Sequence, residues 1–403
     1  MKLKKRIFIT TQYLEIGGIE RSLIGLLNAI DYSMYEVDLF LYRHGGEFIP
    51  LIPNEVNLIP EMKKYSTLSR PMVEVLKYGY VDIVIARLFA RLCSRRYYKK
   101  SKSKKEDYSI FHYVSKYTTP LLPSVNPSIE YDLAIGFMAP FHILRDKVQA
   151  KKKVGWIHTD YSVVDVNTAD ELPVWDSCDR IASISDSVTS AYLKAFPTLK
   201  SKIIAIENIL SPKFVREQAL LDDVRSEMPE EKETVVLLSV GRYSPPKNFE
   251  NIPFICEKLL NSGLSVKWYI MGYGGKESLI RDNIKKTNML ASVILLGKKS
   301  NPYPYMKACD IYVQPSRYEG KAVTVREAQI LYKPVVITNF PTAQSQLTNG
   351  VDGVIVPMDN DGAAEGLKCF IEDKELQQRL IANLHSRDYG NESEINKIYQ
   401  LMN

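Results

Sequence analysis

No stretch of this 403-residue chain reaches the roughly 20 consecutive apolar residues that a membrane span needs, so a soluble or peripheral protein is expected. The basic start Met1-Lys2-Leu3-Lys4-Lys5-Arg6 leads into only a short apolar stretch and meets no small-residue cleavage site. It reads as a first strand and not as a signal peptide. Cysteines number five, at 93, 178, 256, 309 and 369, with no two at CxxC spacing. That excludes a paired-thiol metal or redox motif and fits a reducing, cytosolic compartment. Histidine is equally scarce, and residues 44, 112, 142 and 385 show no metal-ligand spacing. There is no P-loop, because its lysine and hydroxyl residue are absent, and no GxGxxG run to suggest a dinucleotide-binding oxidoreductase. Short-period repeats, heptads and low-complexity tracts are also missing.

What is present is ordinary globular composition with a net charge of +6, spread unevenly. Residues 91–105 (RLCSRRYYKKSKSKK) hold eight basic side chains and no acidic one, and they follow the apolar run 81–90. Two readings stay open. The stretch lies on an anionic membrane surface, or it is a core helix with a solvated basic end. No groove-reading motif stands beside it, so nucleic acid is not an expected partner.

Short β-rich runs alternate with helical patterns along almost the whole chain, which predicts parallel sheets flanked by helices. In the first half strands are expected at 6–10, 37–42, 132–137, 153–157 and 180–185. A helix with Leu23, Leu26, Leu27 and Ile30 on one face is also expected there, and another at 186–196. In the second half strands are expected at 234–240, 266–271, 293–296, 310–313, 334–338 and 353–356, followed by a helical stretch over 375–403. The charged, proline-punctuated run 227–233 marks a hinge within 205–233. The expected division is 1–205, 206–385 and a terminal helix 386–403. Doubly wound domains bind ligands at the carboxyl ends of their strands, so the chemistry should lie in loops that follow strands.

Four such loops stand out. Residues 11–21 carry Gly17-Gly18 just before a helix, where free backbone N–H groups can face a phosphate or a sugar oxygen. In Gly241-Arg242-Tyr243-Ser244-Pro245-Pro246-Lys247-Asn248 two cations sit five apart across a proline-stiffened turn and can converge on a diphosphate. Gly272, Gly274 and Gly275 end another strand and leave space for a base or ribose. The run Ser316-Arg317-Tyr318-Glu319-Gly320-Lys321-Ala322-Val323-Thr324 leads to Glu327, eight positions after Glu319. A helix starting near Ala322 offers the N–H groups of Ala322, Val323 and Thr324 to a leaving phosphate. Glu319 then lies beside a sugar, and Glu327 can accept from ribose hydroxyls. No DxD-like acidic pair stands at a strand end, so a metal-dependent donor site is not indicated. His158 closes the strand 153–157, with no local partner to fix its protonation state.

These motifs, in this order, resemble the retaining glycosyltransferases of family 4 across nearly the whole chain, most closely over 235–357. The resemblance implies the GT-B fold, two Rossmann-like doubly wound α/β domains facing a central cleft, with the acceptor on the 1–205 side and a nucleotide-sugar donor on the 206–385 side. It implies catalytic roles for Glu319, Arg242, Lys247 and His158: the cations hold the diphosphate, and Glu319 and His158 contact donor-sugar hydroxyls. Gly17, Gly18, Gly241, Gly272, Gly320, Lys321, Ala322, Val323, Thr324 and Glu327 complete the donor site. Asn208 matches an asparagine that the family often has after the strand leading into the second domain. No metal and no cofactor are implied, and the helix 386–403 is expected to cross back onto the first domain. Ala322 departs from the pattern, which commonly has proline there, and Lys321 and Arg326 add two cations.

Within that family the best fit is to members that build capsule, lipopolysaccharide or other cell-surface glycans on a glycan or polyprenyl-linked acceptor. The expected location is cytoplasmic, peripheral at the inner membrane face through 81–105. The alternative weighed beside it is a non-catalytic partner of the same fold that stabilises another transferase. The four-residue set Arg242, Lys247, Glu319 and Glu327 argues against it, since such a partner has no physical need for all four.

Overall fold

The computed structural model describes residues 4–103, 105–320 and 322–402. The chain forms two compact units, Met1–Ile209 with Glu392–Asn403, and Leu210–Asn391.

The first unit is built on a parallel sheet with strands in the order Asn57–Leu58, Tyr35–Leu41, Lys5–Thr11, Leu133–Gly136, Lys153–Ile157, Arg180–Ser183 and Ile203–Ala205. Its central strands read as unbroken apolar runs because helices cover both faces: Ile7, Phe8 and Ile9 in succession are buried. The helix Gly18–Ala29 buries Leu23, Leu26 and Leu27, on the stripe that the periodicity predicts. Strand order reverses between Lys5–Thr11 and Leu133–Gly136. Such a reversal opens a crevice beyond the strand ends.

The helix Val81–Ser101 turns Ile83, Val84, Ala90 and Ser94 inward. It is fastened by polar contacts: Arg87 donates to the carbonyls of Thr67 (2.6 Å) and Arg70 (2.8 Å), and Ser94 Oγ donates to Asp107 Oδ2 (3.0 Å). Lys102 then ends it in a left-handed conformation, φ 53°. Among the described residues no helix is long and apolar enough to cross a membrane.

The second unit repeats the plan. Its parallel strands run Val293–Gly297, Val266–Met271, Val235–Val240, Ile311–Gln314, Val335–Thr338 and Val354–Val356. Buried polar groups between its strands are paired: Trp268 Nε1 donates to Ser239 Oγ (2.9 Å), which donates to the Val313 carbonyl (2.6 Å). The reversal again falls between the first strand, Val235–Val240, and its neighbour Ile311–Gln314.

Strands expected at 153–157 and 266–271 have those bounds, and the other expected strands lie within one or two residues of expectation, while the short edge strands Asn57–Leu58 and Ile203–Ala205 are not among those expected. The continuous helical stretch expected over 375–403 is a correction. It is two helices, Lys374–Ser386 and Ile395–Gln400, separated by the non-helical residues 387–391. The break has tertiary causes. Gly390 lies against Pro212, where a Cβ would come within 2.5 Å of the ring, and Asn391 Oδ1 accepts from the Leu210 amide at 2.8 Å. The last helix then belongs to the first unit. Tyr399 stacks on Tyr35 with centroids 4.2 Å apart and its hydroxyl oxygen accepts from the Asp31 amide at 2.8 Å, while Glu394 accepts from the Glu207 amide at 3.0 Å.

Candidate functional site

In the second unit the loops leaving the two strands at the reversal carry most of the motifs. After Val235–Val240 the chain passes Gly241 and Arg242, then Pro245 and Pro246 set a short 3-10 turn ending at Lys247. Asn248 follows with φ 61°, a left-handed conformation that asparagine tolerates, and its Oδ1 accepts from Asn251 Nδ2 at 2.6 Å. That reversal sends Lys247 back across the loop. Gly241 makes room for it, since a Cβ there would meet Lys247 Cε at 3.2 Å and Phe249 Cζ at 3.3 Å. Arg242 is exposed, and its side chain has no partner among the described residues.

The second loop is clamped to the first. Pro246 O accepts from the Arg317 amide (2.7 Å), and the Arg317 guanidinium reaches Pro245 O (2.8 Å) and Glu250 (2.7 Å). This clamp fixes Glu319. Its Oε1 receives Lys247 Nζ at 2.6 Å, Ser316 Oγ at 2.6 Å and Gln314 Nε2 at 3.1 Å. Gln314 is itself held. It accepts from Tyr312 OH at 2.7 Å and Thr324 Oγ1 at 3.3 Å, and burial pushes the Tyr312 phenol far above its ordinary range, so it stays a donor. Thr342 Oγ1 donates to the Glu319 carbonyl at 2.5 Å. All three side-chain donors converge on one oxygen. The other, Oε2, has no partner among the described residues. A carboxylate pinned in this way is an acceptor of fixed direction.

The helix starts one residue later than expected, as Val323–Ile330 with Ala322 at its N-cap. The Ala322 N–H is already taken by Gln346 Oε1 (2.8 Å), whose Nε2 donates to the Gly320 carbonyl (3.2 Å). The amides of Val323 and Thr324 open the helix, where no intrahelical acceptor exists. Glu327 lies inside it, fully buried, and accepts from Tyr303 OH at 2.8 Å. Lys321 lies outside the described residues.

Two glycines differ in kind. Gly272 has φ 148°, and a Cβ there would fall 1.8 Å from the Gly241 carbonyl oxygen. The Tyr243 amide also donates to Tyr273 O at 2.8 Å. Gly272 therefore has a packing reason, the close approach of two strand-end loops. Gly320 has no heavy atom within 4 Å of a Cβ and faces open space.

In the first unit Gly17 caps the helix Gly18–Ala29 in extended conformation, and Gly18 is exposed with open space around it. His158 follows the strand Lys153–Ile157 between aromatic rings, 4.6 Å from Phe137 and 6.0 Å from Trp156. Burial pulls its pKa down to about 3, so the ring is neutral at physiological pH. Its Nε2 has no hydrogen-bond partner among the described residues.

Sequence reasoning brought Arg242, Lys247, Glu319 and Glu327 together and missed what holds them: Gln314, Tyr303, Thr342 and Gln346. Gln314 carried one readable signal, a polar residue closing the apolar strand Ile311–Gln314. The others lie more than 20 residues from their partners, and no local pattern links them.

Residues 222–387, within the second unit, match the family model described as glycosyl transferases group 1. Among curated relatives, an N-acetylgalactosaminyltransferase of Campylobacter jejuni acting on a diphospho-undecaprenol substrate is 30% identical over 35% of this chain and 39% of its own length. The capsular polysaccharide biosynthesis glycosyltransferase CapM of Staphylococcus aureus is 25% identical over 51% of this chain and 56% of its own. The chain thus spans less than two thirds of either relative. Solved structures match over more. HepE of Anabaena, in complex with UDP and glucose, covers 98% of both chains at TM-score 0.64 and 16% identity. TarM of S. aureus covers 99% of this chain and 100% of its own at 0.67 and 13%. These solved structures set the fold as GT-B, and the segment 222–387 is similar to the group 1 glycosyl transferases.

Proposed function

We propose that the chain moves a sugar from a nucleoside-diphosphate sugar to a growing glycan or polyprenyl-linked acceptor, with retention of anomeric configuration and without a metal. The observation that carries this reading is the Glu319 carboxylate, fixed through one oxygen by Lys247, Ser316 and Gln314 at the strand reversal of the second unit.

The leaving group of such a donor is a diphosphate, and negative charge grows on it as the bond from the anomeric carbon to its oxygen breaks. Lys247, Arg242 and the first amides of Val323–Ile330 supply the compensating charge and dipole. The acceptor hydroxyl oxygen bonds to the anomeric carbon on the face that the phosphate leaves, and its proton passes to that phosphate. Glu319 is not the nucleophile in this reading. Lys247, Ser316 and Gln314 hold Oε1 in place, and Oε2 accepts from a donor-sugar hydroxyl. Glu327 takes the ribose hydroxyls alongside or in place of Tyr303 OH. Gly241, Gly320 and residues 322–324 line the phosphate end.

In the first unit, neutral His158 offers Nε2 to a hydroxyl, and Gly18 leaves open space beyond the strand ends while Gly17 lets the Glu20 carboxylate fold against the helix start, where a Cβ would fall 2.1 Å from Glu20 Oε2. The UDP and glucose of HepE support a nucleoside-diphosphate donor, and the names of the C. jejuni and S. aureus relatives support a polyprenyl-linked or polysaccharide acceptor.

A panel of nucleotide sugars, each offered with glycan and polyprenyl-diphosphate acceptors, tests this through release of nucleoside diphosphate and the anomer of the product by NMR. One donor is expected to turn over with retention in the presence of EDTA. Absence of release from every donor contradicts the reading, and an inverted product contradicts its stereochemistry.

A further inference from the structure

The helix Val81–Ser101 has a second face that the first unit does not use. Val81, Ile85, Leu88 and Leu92, at steps of four, three and four, form one stripe that is 52, 62, 47 and 58% exposed. Residues so spaced share one side of a helix. The same stripe continues past Leu92 as Arg95, Arg96 and Lys99, all exposed. None of these cations has an ion-pair partner among the described residues. At the apolar end, Val73 and Leu76 on the packed neighbour Met72–Lys77 are exposed as well, at 67 and 48%. The carboxylates there are already satisfied: Asp82 by Lys64 at 2.7 Å and Glu74 by Arg70 at 2.5 Å.

We propose that this stripe seats the first unit on an anionic membrane surface, with the apolar end among the acyl chains and the basic end on the lipid phosphates. A core helix with a solvated basic end accounts for the inward Ile83, Val84 and Ala90. It leaves a contiguous aliphatic patch facing water, which soluble surfaces avoid. The order along the stripe, aliphatic and then cationic, matches the order a lipid surface presents from acyl chain to headgroup. A second copy of this chain would bring an equal set of unpaired cations and no anion on the stripe to meet them. An anionic headgroup layer supplies that missing charge. The proposal does not depend on the transferase reading.

Flotation of the full chain with phosphatidylglycerol–phosphatidylcholine vesicles, and with phosphatidylcholine alone, tests it. Binding is expected only to the anionic vesicles, weakening with added salt. R95Q/R96Q/K99Q/K100Q is expected to weaken binding more than about tenfold. I85S/L88S/L92S is expected to abolish it although every cation remains. Both sets alter exposed positions, and an unchanged circular dichroism melt shows that the fold is kept. Leu88→Trp gives an independent readout, because Trp156, Trp175 and Trp268 are buried and shielded from lipid. Its emission should shift to the blue and be quenched by dibrominated phosphatidylglycerol. Equal binding to neutral vesicles, no binding to anionic ones, or unchanged binding in both variants would overturn the proposal. So would a concentration-dependent dimer that the triple serine variant abolishes, since that assigns the stripe to self-contact.

Discussion

Lys247 Nζ lies 2.6 Å from Glu319 Oε1 and joins two loops whose residues are 72 positions apart. Both side chains are largely covered, at 20 and 10% exposure, so the pair is not a solvated surface bridge of negligible worth. Lys247→Ala strips a charged hydrogen bond from a covered carboxylate. The expected cost is about 1 to 3 kcal/mol of stability and roughly a hundredfold or more in turnover. Denaturant titration beside initial rates checks this, and wild-type turnover in a folded variant refutes the role.

Ser316 aims Glu319 without touching a donor in the proposed arrangement. Ser316→Ala should lower kcat about tenfold with a stability loss near 1 kcal/mol, while Ser316→Thr, which keeps the hydroxyl, restores most of it. Equal rates in the alanine and threonine variants would show that the 2.6 Å contact does not position the carboxylate.

Glu327 has two possible duties, holding Tyr303 and holding a ribose, and they separate in one variant. Glu327→Gln keeps an acceptor for Tyr303 OH and removes the charge. Nucleoside diphosphate affinity should fall about tenfold while the melting temperature changes little. A melting temperature that drops with affinity unchanged would make Glu327 structural only.

Gly272 cannot carry a side chain where it stands. Gly272→Ala places a methyl 1.8 Å from Gly241 O at φ 148°, so the two strand-end loops must separate. The expected loss is at least about 2 kcal/mol, with weaker nucleotide binding because Arg242 and Lys247 ride on the displaced loop. Wild-type stability would show that the close approach is not maintained.

The pH dependence of the first unit follows from groups pulled in opposite directions. His158 and His142 are both depressed from 6.5 to about 3, chiefly by burial. Below about 6.5 the unfolded chain therefore binds more protons at these sites, and their contribution is lost as pH falls toward 3. Glu171 is raised from 4.5 to about 8, again chiefly by burial, so its contribution is lost as pH rises from 4.5 through 8. Glu171→Gln should accordingly be more stable than wild type at pH 9 and not at pH 5. Imidazole NMR should find no titration of His158 between pH 5 and 8, and a midpoint near 6.5 would contradict its neutral role.

The strand plan was legible because parallel strands covered on both faces must be apolar throughout, and the site loops were legible because they follow those strands. Arg242, Lys247 and Glu319 announced themselves by charge in such loops. Their supports did not, since Thr342, Gln346 and Tyr303 reach their partners across more than 20 residues of chain. Gly272 was noticed as an opening for a ligand, and only the position of Gly241 O reveals its packing reason. The break at 387–391 was hidden for a similar cause, because the contacts of Gly390 and Asn391 lie with Pro212 and Leu210. Composition likewise marked 81–105 as apolar and then basic, and left undecided which side of the helix each residue takes.

The central claim is that the loops at 241–248 and 315–327 hold a nucleoside diphosphate. Titration calorimetry of UDP, GDP, ADP and dTDP into the wild-type chain and into Lys247→Ala tests it most directly. The account predicts that at least one binds the wild type and that its affinity falls by about tenfold or more in the variant. Binding by none of the four, or equal binding by both proteins, would contradict it.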